Sequence, residues 1–442
     1  MRTILFMKNL KEEAEQIFFA TLNGLDLRSL VNKEIKVDGD VLRLKGESIA
    51  LNDHNEILLI GFGKASLTIA AAIEELLGDR ITRSLLVSNA PRDLKLKSEV
   101  LIAGHPLPDR NSLLAGERIL AMVQSATSDS LIIFIITGGG SALVEQPISP
   151  DVTLEDLRDL NRLLVNCGAT IREINVVRKH LSRIKGGRLG FLARRNTTIN
   201  LFLSDVNPGD LRSIASNPLL PDQASLAEFF DVIRRYDLDD RLPRSILELI
   251  RGGEIADLPR GWSREKECID LLLADNHDAI RLAAEIAREK GFEVDTELRL
   301  AEGDYREVSR ELLKNLLALK ERFPDGPVCL VSGGEVSCPV KGEGVGGRNQ
   351  EFVLYTALAL AKLDNLGACV LSCGTDGIDG NSPAAGGVAD ADTIRQALSR
   401  GIDPAVFLER NDSHSFLELM GGAVYTGPTG NNVRDLRLLI AS

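Results

Sequence analysis

Apolar residues along this chain come in short runs that close in glycine or other turn residues, with helical periodicity between several of them. EILLIGFG, RSLLVSNA, VLIAGHPLPD, SLIIFIITGGG and TINLFLSDVNPGD each read as a strand ending in a turn. KASLTIAAAIEELLG and NSLLAGERILAMVQSA, lying between them, place their apolar residues on one helical face, as does KEEAEQIFFATLNGL near the N-terminus. That alternation predicts a parallel α/β sheet. Residues 236–266, YDLDDRLPRSILELIRGGEIADLPRGWSREK, carry charge, glycine and two prolines, and read as a connecting segment. A second series follows: CIDLLLADN, the helix DAIRLAAEIAREKG, the strand FEVDTELRL, a long helix near YREVSRELLKNLLALKERF, then PVCLVSGGE and ACVLSCGTDGIDG. Two α/β domains are expected, covering 1–260 and 261–442.

Bulk properties narrow the partners. A length of 442 residues is about twice an ordinary domain and agrees with two. The longest apolar run, Leu131 to Ile136, is far short of the roughly 20 residues that span a bilayer, so no membrane role is expected. MRTILFMKNLKEEAEQ meets charge before a signal-peptide core forms, and the expected location is the cytoplasm. Six cysteines without CxxC pairing suit reduced thiols, with Cys369 and Cys373 as strand packing. A formal net charge of −12 argues against nucleic acid and anionic membranes, so any anion must be held locally.

The loops at the strand ends are where such an anion belongs, because glycines let backbone amides approach and a helix N-terminus adds positive potential. Gly61, Gly63 and Ser66, then Gly138, Gly139, Gly140 and Ser141, then Gly333, Gly334 and Glu335 are read as such positions, beside Gly374 to Gly380. GFGKAS has one residue between its glycines, which excludes a Walker loop. It also lacks the third glycine of a dinucleotide fingerprint, since Ser66 stands there. The next strand closes in Ser88, Asn89 and Ala90, with no carboxylate for a ribose. Lys64 remains, a cation at the helix end where cations are disfavoured, and therefore a candidate for anion binding.

INVVRKHLSRIKGGRLG packs Arg178, Lys179, His180, Arg183, Lys185 and Arg188 into one basic stretch. As a helix it would align Arg178, Ser182 and Lys185; a solvated charged face is the plainer reading. Asp205 stands at a strand end, Arg348 opens the helix after GEGVGG, and Asp376 and Asp379 are hard oxygen ligands of the kind Mg²⁺ takes, or else members of an Asx turn. Cations, carboxylates and glycine loops together are the parts of phosphoryl transfer.

GFGKAS, GHPLPD, TGGGSAL, INVVRKHLSRIKGGRLG, LSDVNPGD, SGGE, GGRNQEF, GTDGIDG and TGPTGNNVRDL occur in one order that resembles the class II glycerate kinases, the glycerate 2-kinase family whose C-terminal domain is called MOFRL. The resemblance implies two three-layer α/β domains, the first Rossmann-like with a mainly parallel sheet and the second with a mixed sheet, with the site in the cleft between them. It implies ATP and Mg²⁺ as cofactors and D-glycerate as acceptor, with the 2-hydroxyl as the expected position and the 3-hydroxyl left open. Lys64, Asp205 and Arg348 match the family's proposed catalytic set. Of the two cations, the guanidinium of Arg348 is expected to hold the glycerate carboxylate and Lys64 to stabilise the transferring group. A homo-oligomer is left open. Two departures stand out. Ser216, Asn217, Pro218 and Leu219 replace a usual SGPT, and His414 replaces a usual tyrosine. The competing readings are a reductase of hydroxypyruvate and a non-catalytic phosphate-ligand sensor.

Overall fold

The computed structural model describes residues 9–207, 209–363 and 366–442, so Pro208 of LSDVNPGD and the first eight residues of the N-terminal stretch lie outside the described residues. The chain forms two compact units: Leu27–Leu273, and the N-terminal helix Leu10–Gly24 together with Ala274–Ser442.

The first unit opens with a small antiparallel sheet of β1 (Ile35–Asp38), β2 (Val41–Leu44) and β3 (Glu47–Ala50). Its main sheet contains β4 (Glu56–Phe62), β5 (Arg83–Ser88), β6 (Glu99–Ile102), β7 (Ser130–Thr137), β8 (Thr197–Leu203) and β9 (Cys268–Ala274), in the spatial order β6-β5-β4-β7-β8-β9. The pairs β4/β5, β4/β7, β5/β6 and β7/β8 are parallel, and β7 and β8 are buried along their whole length, as strands covered on both faces must be. Helix Arg110–Ser125 packs Ala115, Ile119 and Val123 on one face with Leu58, Ile60 and Phe134. Gly61 points the other way and meets Ser66, the first residue of helix Ser66–Leu77. Strand order reverses between the parallel neighbours β4 and β7, and that reversal opens a crevice at their carboxyl ends.

Two features depart from the expected division at residue 260. CIDLLLADN becomes β9 and completes the edge of the first sheet beside β8. The presumed connecting segment is also packed: Leu238, Leu242, Ile246, Leu249 and Ile255 bury with Val177 and Phe229, and helix Arg244–Gly252 forms inside it. Its charges hid an amphipathic pattern. The N-terminal helix, meanwhile, buries Ala14, Ile17 and Phe18 with Ile280, Ala283 and Ala284 of the second unit.

The second unit has β10 (Glu293–Asp304), β11 (Val328–Ser337), β12 (Ala368–Gly374), β13 (Gly386–Asp390), β14 (Ala423–Val424) and β15 (Asp435–Ala441), ordered β10-β11-β15-β12-β13-β14. Only β10/β11 is parallel, so the sheet is mixed. Alternation sorts the faces: Leu436, Leu438 and Ile440 of β15 join helices Leu10–Gly24 and Asn276–Glu289, whereas Leu439 and Ala441 join helices Tyr305–Arg322 and Arg348–Leu360. Cys369 and Cys373 lie in the first of these cores as free thiols.

Glu351, in the first turn of helix Arg348–Leu360, is 1% exposed. Burial pushes its carboxyl up to about 7, against the opposing pull of the Ser413 hydroxyl and amide. A folded-state value above the unfolded one adds stability in full below about pH 4.5 and loses it as pH rises through about 7, by about 3 kcal/mol. Glu351→Gln is therefore expected to flatten the loss of melting temperature between pH 5 and pH 8 relative to the parent protein. Calorimetry at several pH values checks this, and parallel curves for the two proteins would contradict it.

Candidate active site

Two loops at the β4/β7 reversal are locked by backbone contact. Gly63 follows β4 with φ +128, and a Cβ there would stand 2.0 Å from Thr137 Oγ1 and 2.5 Å from the Thr137 carbonyl oxygen, so no side chain fits. The Lys64 amide donates to the Gly138 carbonyl at 2.9 Å, and the Ala65 amide donates to Thr137 Oγ1 at 3.2 Å. Ser66 is buried, its hydroxyl 2.8 Å from the Gly63 carbonyl and 3.0 Å from that of Val87. It closes the turn, and Gly61 packs against Leu86 and Ile135 inside β4. Both were expected to touch a ligand; the structure gives them to the loop's own geometry.

The TGGGS loop gathers the chemistry. A Cβ on Gly138 would lie 1.9 Å from Asp205 Oδ2, which means that the Asp205 carboxylate rests against this backbone. A Cβ on Gly139, at φ +83, would stand 3.2 Å from both Lys64 Cγ and His105 Cδ2. Lys64, Asp205 and His105 therefore surround one glycine loop. Burial, helped by the Lys64 ammonium, pushes His105 below its ordinary value, and the ring is neutral at pH 7. Gly140 opens the short helix Gly140–Leu143, and Ser141 Oγ lies 2.8 Å from Ser216 Oγ.

Next to this loop is a cavity of about 160 Å³, lined among others by His105, Gly139, Ser141, Glu145, Arg178 and Lys185. Lys185 is 1% exposed and paired with Glu145, whose other oxygen accepts from Ser182 at 2.6 Å. Burial draws the Lys185 ammonium below its usual value, and Glu145 draws it back. Arg178 donates to Asn161 Oδ1. Helix Ile171–His180 ends before Lys185, so Arg178 and Lys185 meet across a turn and not along one helical face. Nor is the basic stretch a solvated face: Lys179 is paired with Asp222 at 2.7 Å, His180 is fully buried, and Arg183 alone of Lys179, His180, Arg183 and Lys185 is exposed.

In the second unit Arg348 opens its helix with the guanidinium already engaged. Nε and Nη2 donate to the two oxygens of Asp435 at 2.8 and 2.9 Å, and Nη1 lies 2.7 Å from Glu335 Oε1. Burial alone would raise the Asp435 carboxyl, but Arg348, with Arg437 at 3.2 Å, holds it below the usual carboxylate range. Gly333, Gly334 and Glu335 do not form a strand-end loop, because β11 continues to Ser337. Gly333 and Gly334 admit the close approach of Asn276 and Ala301, with Asn276 Oδ1 accepting from the Gly334 amide at 2.9 Å.

Asp379 is 2% exposed and accepts from the Asn349 amide at 3.1 Å with one oxygen and from the Gln350 amide at 2.9 Å with the other. It supplies the cap that Gly347 cannot provide to helix Arg348–Leu360. Burial raises its carboxyl to about 6. Asp376 Oδ1 accepts from the Ile378 amide at 3.3 Å in an Asx turn. These two residues do not fit a Mg²⁺ site, and among the described residues no group of three or more His, Cys, Asp or Glu does.

Residues 13–251 match a family described as a domain of unknown function (DUF4147), and residues 328–435 match the MOFRL family. A D-glycerate 2-kinase of Thermotoga maritima is 35% identical over 86% of this chain and 90% of its own length. The crystal structure of glycerate kinase from the same organism superposes with a TM-score of 0.83 at 31% identity, covering 98% of this chain and 100% of that one. This chain belongs to the MOFRL family of glycerate 2-kinases. Another relative, from Agrobacterium vitis, carries the provisional name hydroxypyruvate reductase and is 36% identical over 87% of this chain and 86% of its own length. No helix among the described residues is long and apolar enough to cross a membrane.

Within the family's motifs, sequence reasoning passed over His105 of GHPLPD, Glu145 just past TGGGSAL and Asp435 of TGPTGNNVRDL. A polar residue inside or beside a glycine-rich motif was the available signal. Two outcomes follow from this geometry. Gly138→Ala should displace the Asp205 carboxylate and lower kcat by at least tenfold while circular dichroism stays unchanged; wild-type turnover would show that Asp205 has no part. Asp379→Ala should lower stability by about 1–2 kcal/mol, as loss of a helix cap does, and leave the metal requirement of any activity where it was. Thermal melts and a Mg²⁺ titration check both halves.

Proposed function

We propose that this enzyme transfers the γ-phosphoryl group of ATP to the 2-hydroxyl of D-glycerate, giving 2-phosphoglycerate and ADP. The observation that carries the reading is the meeting of Lys64 and Asp205 at the Gly138–Gly139 backbone, at the reversal of strand order where ligands of such sheets bind. The name of one relative, D-glycerate 2-kinase, supports this acceptor and this position of attack. Asp205 orients the acceptor hydroxyl and takes its proton as the oxygen bonds to phosphorus. Lys64 neutralises the charge on the phosphoryl oxygens while the bond to ADP breaks, a role suited to a compact ammonium that follows a moving group. The third candidate, Arg348, belongs to the second unit. With its guanidinium held by Asp435 and Glu335, it does not act as the carboxylate clamp.

The reductase reading draws on the Rossmann strand order and on one relative's name. Against it, Ser66 fills the third glycine position with a hydroxyl used inside the turn, and β5 ends in Ser88 followed by Asn89, with no carboxylate for a ribose.

The decisive assay supplies ATP, Mg²⁺ and D-glycerate and identifies the product by phosphorus NMR. 2-Phosphoglycerate is expected; 3-phosphoglycerate would correct the position of attack, and NADH oxidation with hydroxypyruvate in place of phosphorylation would replace the reading. Mg²⁺ accompanies nucleotide phosphates in such reactions, and EDTA followed by added Mg²⁺ measures the requirement. Lys64→Ala should lower kcat by roughly 10²- to 10³-fold, the usual loss when a preorganised charge-stabilising group is removed.

A further inference from the structure

We infer that the cavity beside the TGGGS loop seats the carboxylate of the acceptor, with Arg178 as its direct partner and the buried Lys185–Glu145 pair as its fixed wall. The inference rests on the kinase reading for the identity of the acceptor, but the seat itself is argued from size, charge and bonding.

The cavity's 160 Å³ is below the roughly 300 Å³ at which pockets for drug-sized ligands begin, so it suits a molecule, or a ligand group, of a few heavy atoms. Its charge is also specific. Glu145 is fully used: one oxygen holds Lys185, and the other accepts from Ser182 at 2.6 Å and from the Gln146 amide at 2.9 Å. Lys185 and Glu145 cancel, and His105 is neutral. Two cations, Arg178 and Lys185, therefore share the one carboxylate Glu145 among the lining residues, which leaves one net positive charge for one negative one.

The guanidinium suits the task. Five N–H donors are available on an arginine, and Asn161 Oδ1 accounts for one interaction of Arg178 while anchoring it. A planar fork matches a carboxylate bidentately, and Leu157, Leu160 and Leu181 in the same walls exclude water, which strengthens that pairing. Ser141, held by Ser216, gives a hydroxyl on the same lining for the acceptor's own hydroxyl groups. Gly139 lies on that lining too, and Lys64 Cγ is next to it. A short hydroxy acid anchored by its carboxylate at Arg178 would thus present its 2-hydroxyl towards the TGGGS loop, against which Lys64 and Asp205 lie. The clamp expected of Arg348 therefore passes to Arg178, whose side chain lines a cavity.

The test combines kinetics with binding measured in the absence of ATP. Arg178→Met keeps the side-chain bulk and removes the fork; Arg178→Lys keeps the charge. In the kinase assay Arg178→Met should raise KM for D-glycerate roughly 10- to 100-fold, with KM for ATP unchanged and Arg178→Lys intermediate. Calorimetric titration of the full-length protein with D-glycerate should show the same weakening. Unchanged glycerate affinity in folded Arg178→Met would overturn the inference while leaving the kinase reading intact. If the parent protein phosphorylates no glycerate, titration with D-glycerate, glycolate and L-lactate still decides. Binding lost in Arg178→Met upholds a carboxylate seat without the kinase reading, and no binding to the parent protein overturns both.

Discussion

The contact between Gly63 and Thr137 is the constraint on which the first unit's functional end depends. A parallel sheet that reverses its order leaves a crevice between two outward-running strands, and what fills it is decided by how closely the loops beyond them approach. Here the approach is so close that a single methyl group at position 63 would overlap Thr137. Two hydrogen bonds across the reversal, donated by the Lys64 and Ala65 amides, then fix the loops in register. The Lys64 side chain, the Asp205 carboxylate and the start of helix Gly140–Leu143 are all placed by that one junction. Loops so constrained suit phosphoryl transfer, where position and charge do nearly all of the work.

The two units use similar residues in opposite ways. In the second unit the charges satisfy one another: Asp435 lies between Arg348 and Arg437, and Asp379 caps a helix with both oxygens. Removing one partner from a buried ion set such as Asp435 with Arg348 and Arg437 typically costs about 3–5 kcal/mol, because the other charge is left without compensation. These groups therefore hold the end of β15 to the helix that Arg348 begins. In the first unit Lys185 and Glu145 cancel in the same manner, but Arg178 beside them is tethered only through a neutral amide. An excess cation in a partly buried, partly apolar cavity favours an anion beside it, and that imbalance distinguishes a binding cavity from a structural network.

What the sequence made legible follows the range of the interactions. Strand runs, the two α/β series and the glycine loop around Lys64 are set by near neighbours, and each could be read from periodicity and turn chemistry. SGGE was read as a loop because nothing near it announces Asn276 and Ala301, whose approach requires glycines inside a continuing strand. Asp379 resembled a metal ligand because its real partners, the amides of Asn349 and Gln350, lie thirty residues earlier in the chain. The basic stretch looked solvated for the same reason, since Glu145 and Asp222 neutralise it from outside the motif. The N-terminal helix joins the second unit although all of the first unit intervenes, which no local pattern can record.

The departure at Ser216–Leu219 shows how a changed motif can keep its geometry. Ala215, Ser216 and Asn217 all have positive φ, at 49, 59 and 56, a conformation that glycine adopts readily and that most residues resist. Where relatives place glycine, this chain has asparagine, the side chain best able to offset a left-handed backbone by local bonding. Asn217 does so, donating to the Leu220 carbonyl at 2.9 Å and to Asp222 at 2.7 Å, with Asp222 in turn paired to Lys179. Leu219, in place of the usual threonine, is fully buried in the core, and its carbonyl abuts Gly190, where a Cβ would come within 1.9 Å of the oxygen. The lost hydroxyl thus belonged to a position that here faces the core. Ser216 and Pro218 are retained from the usual motif, and Ser216 is the one that touches Ser141 at the cavity wall. The substitutions alter what supports the loop from behind and leave in place the hydroxyl that meets the site.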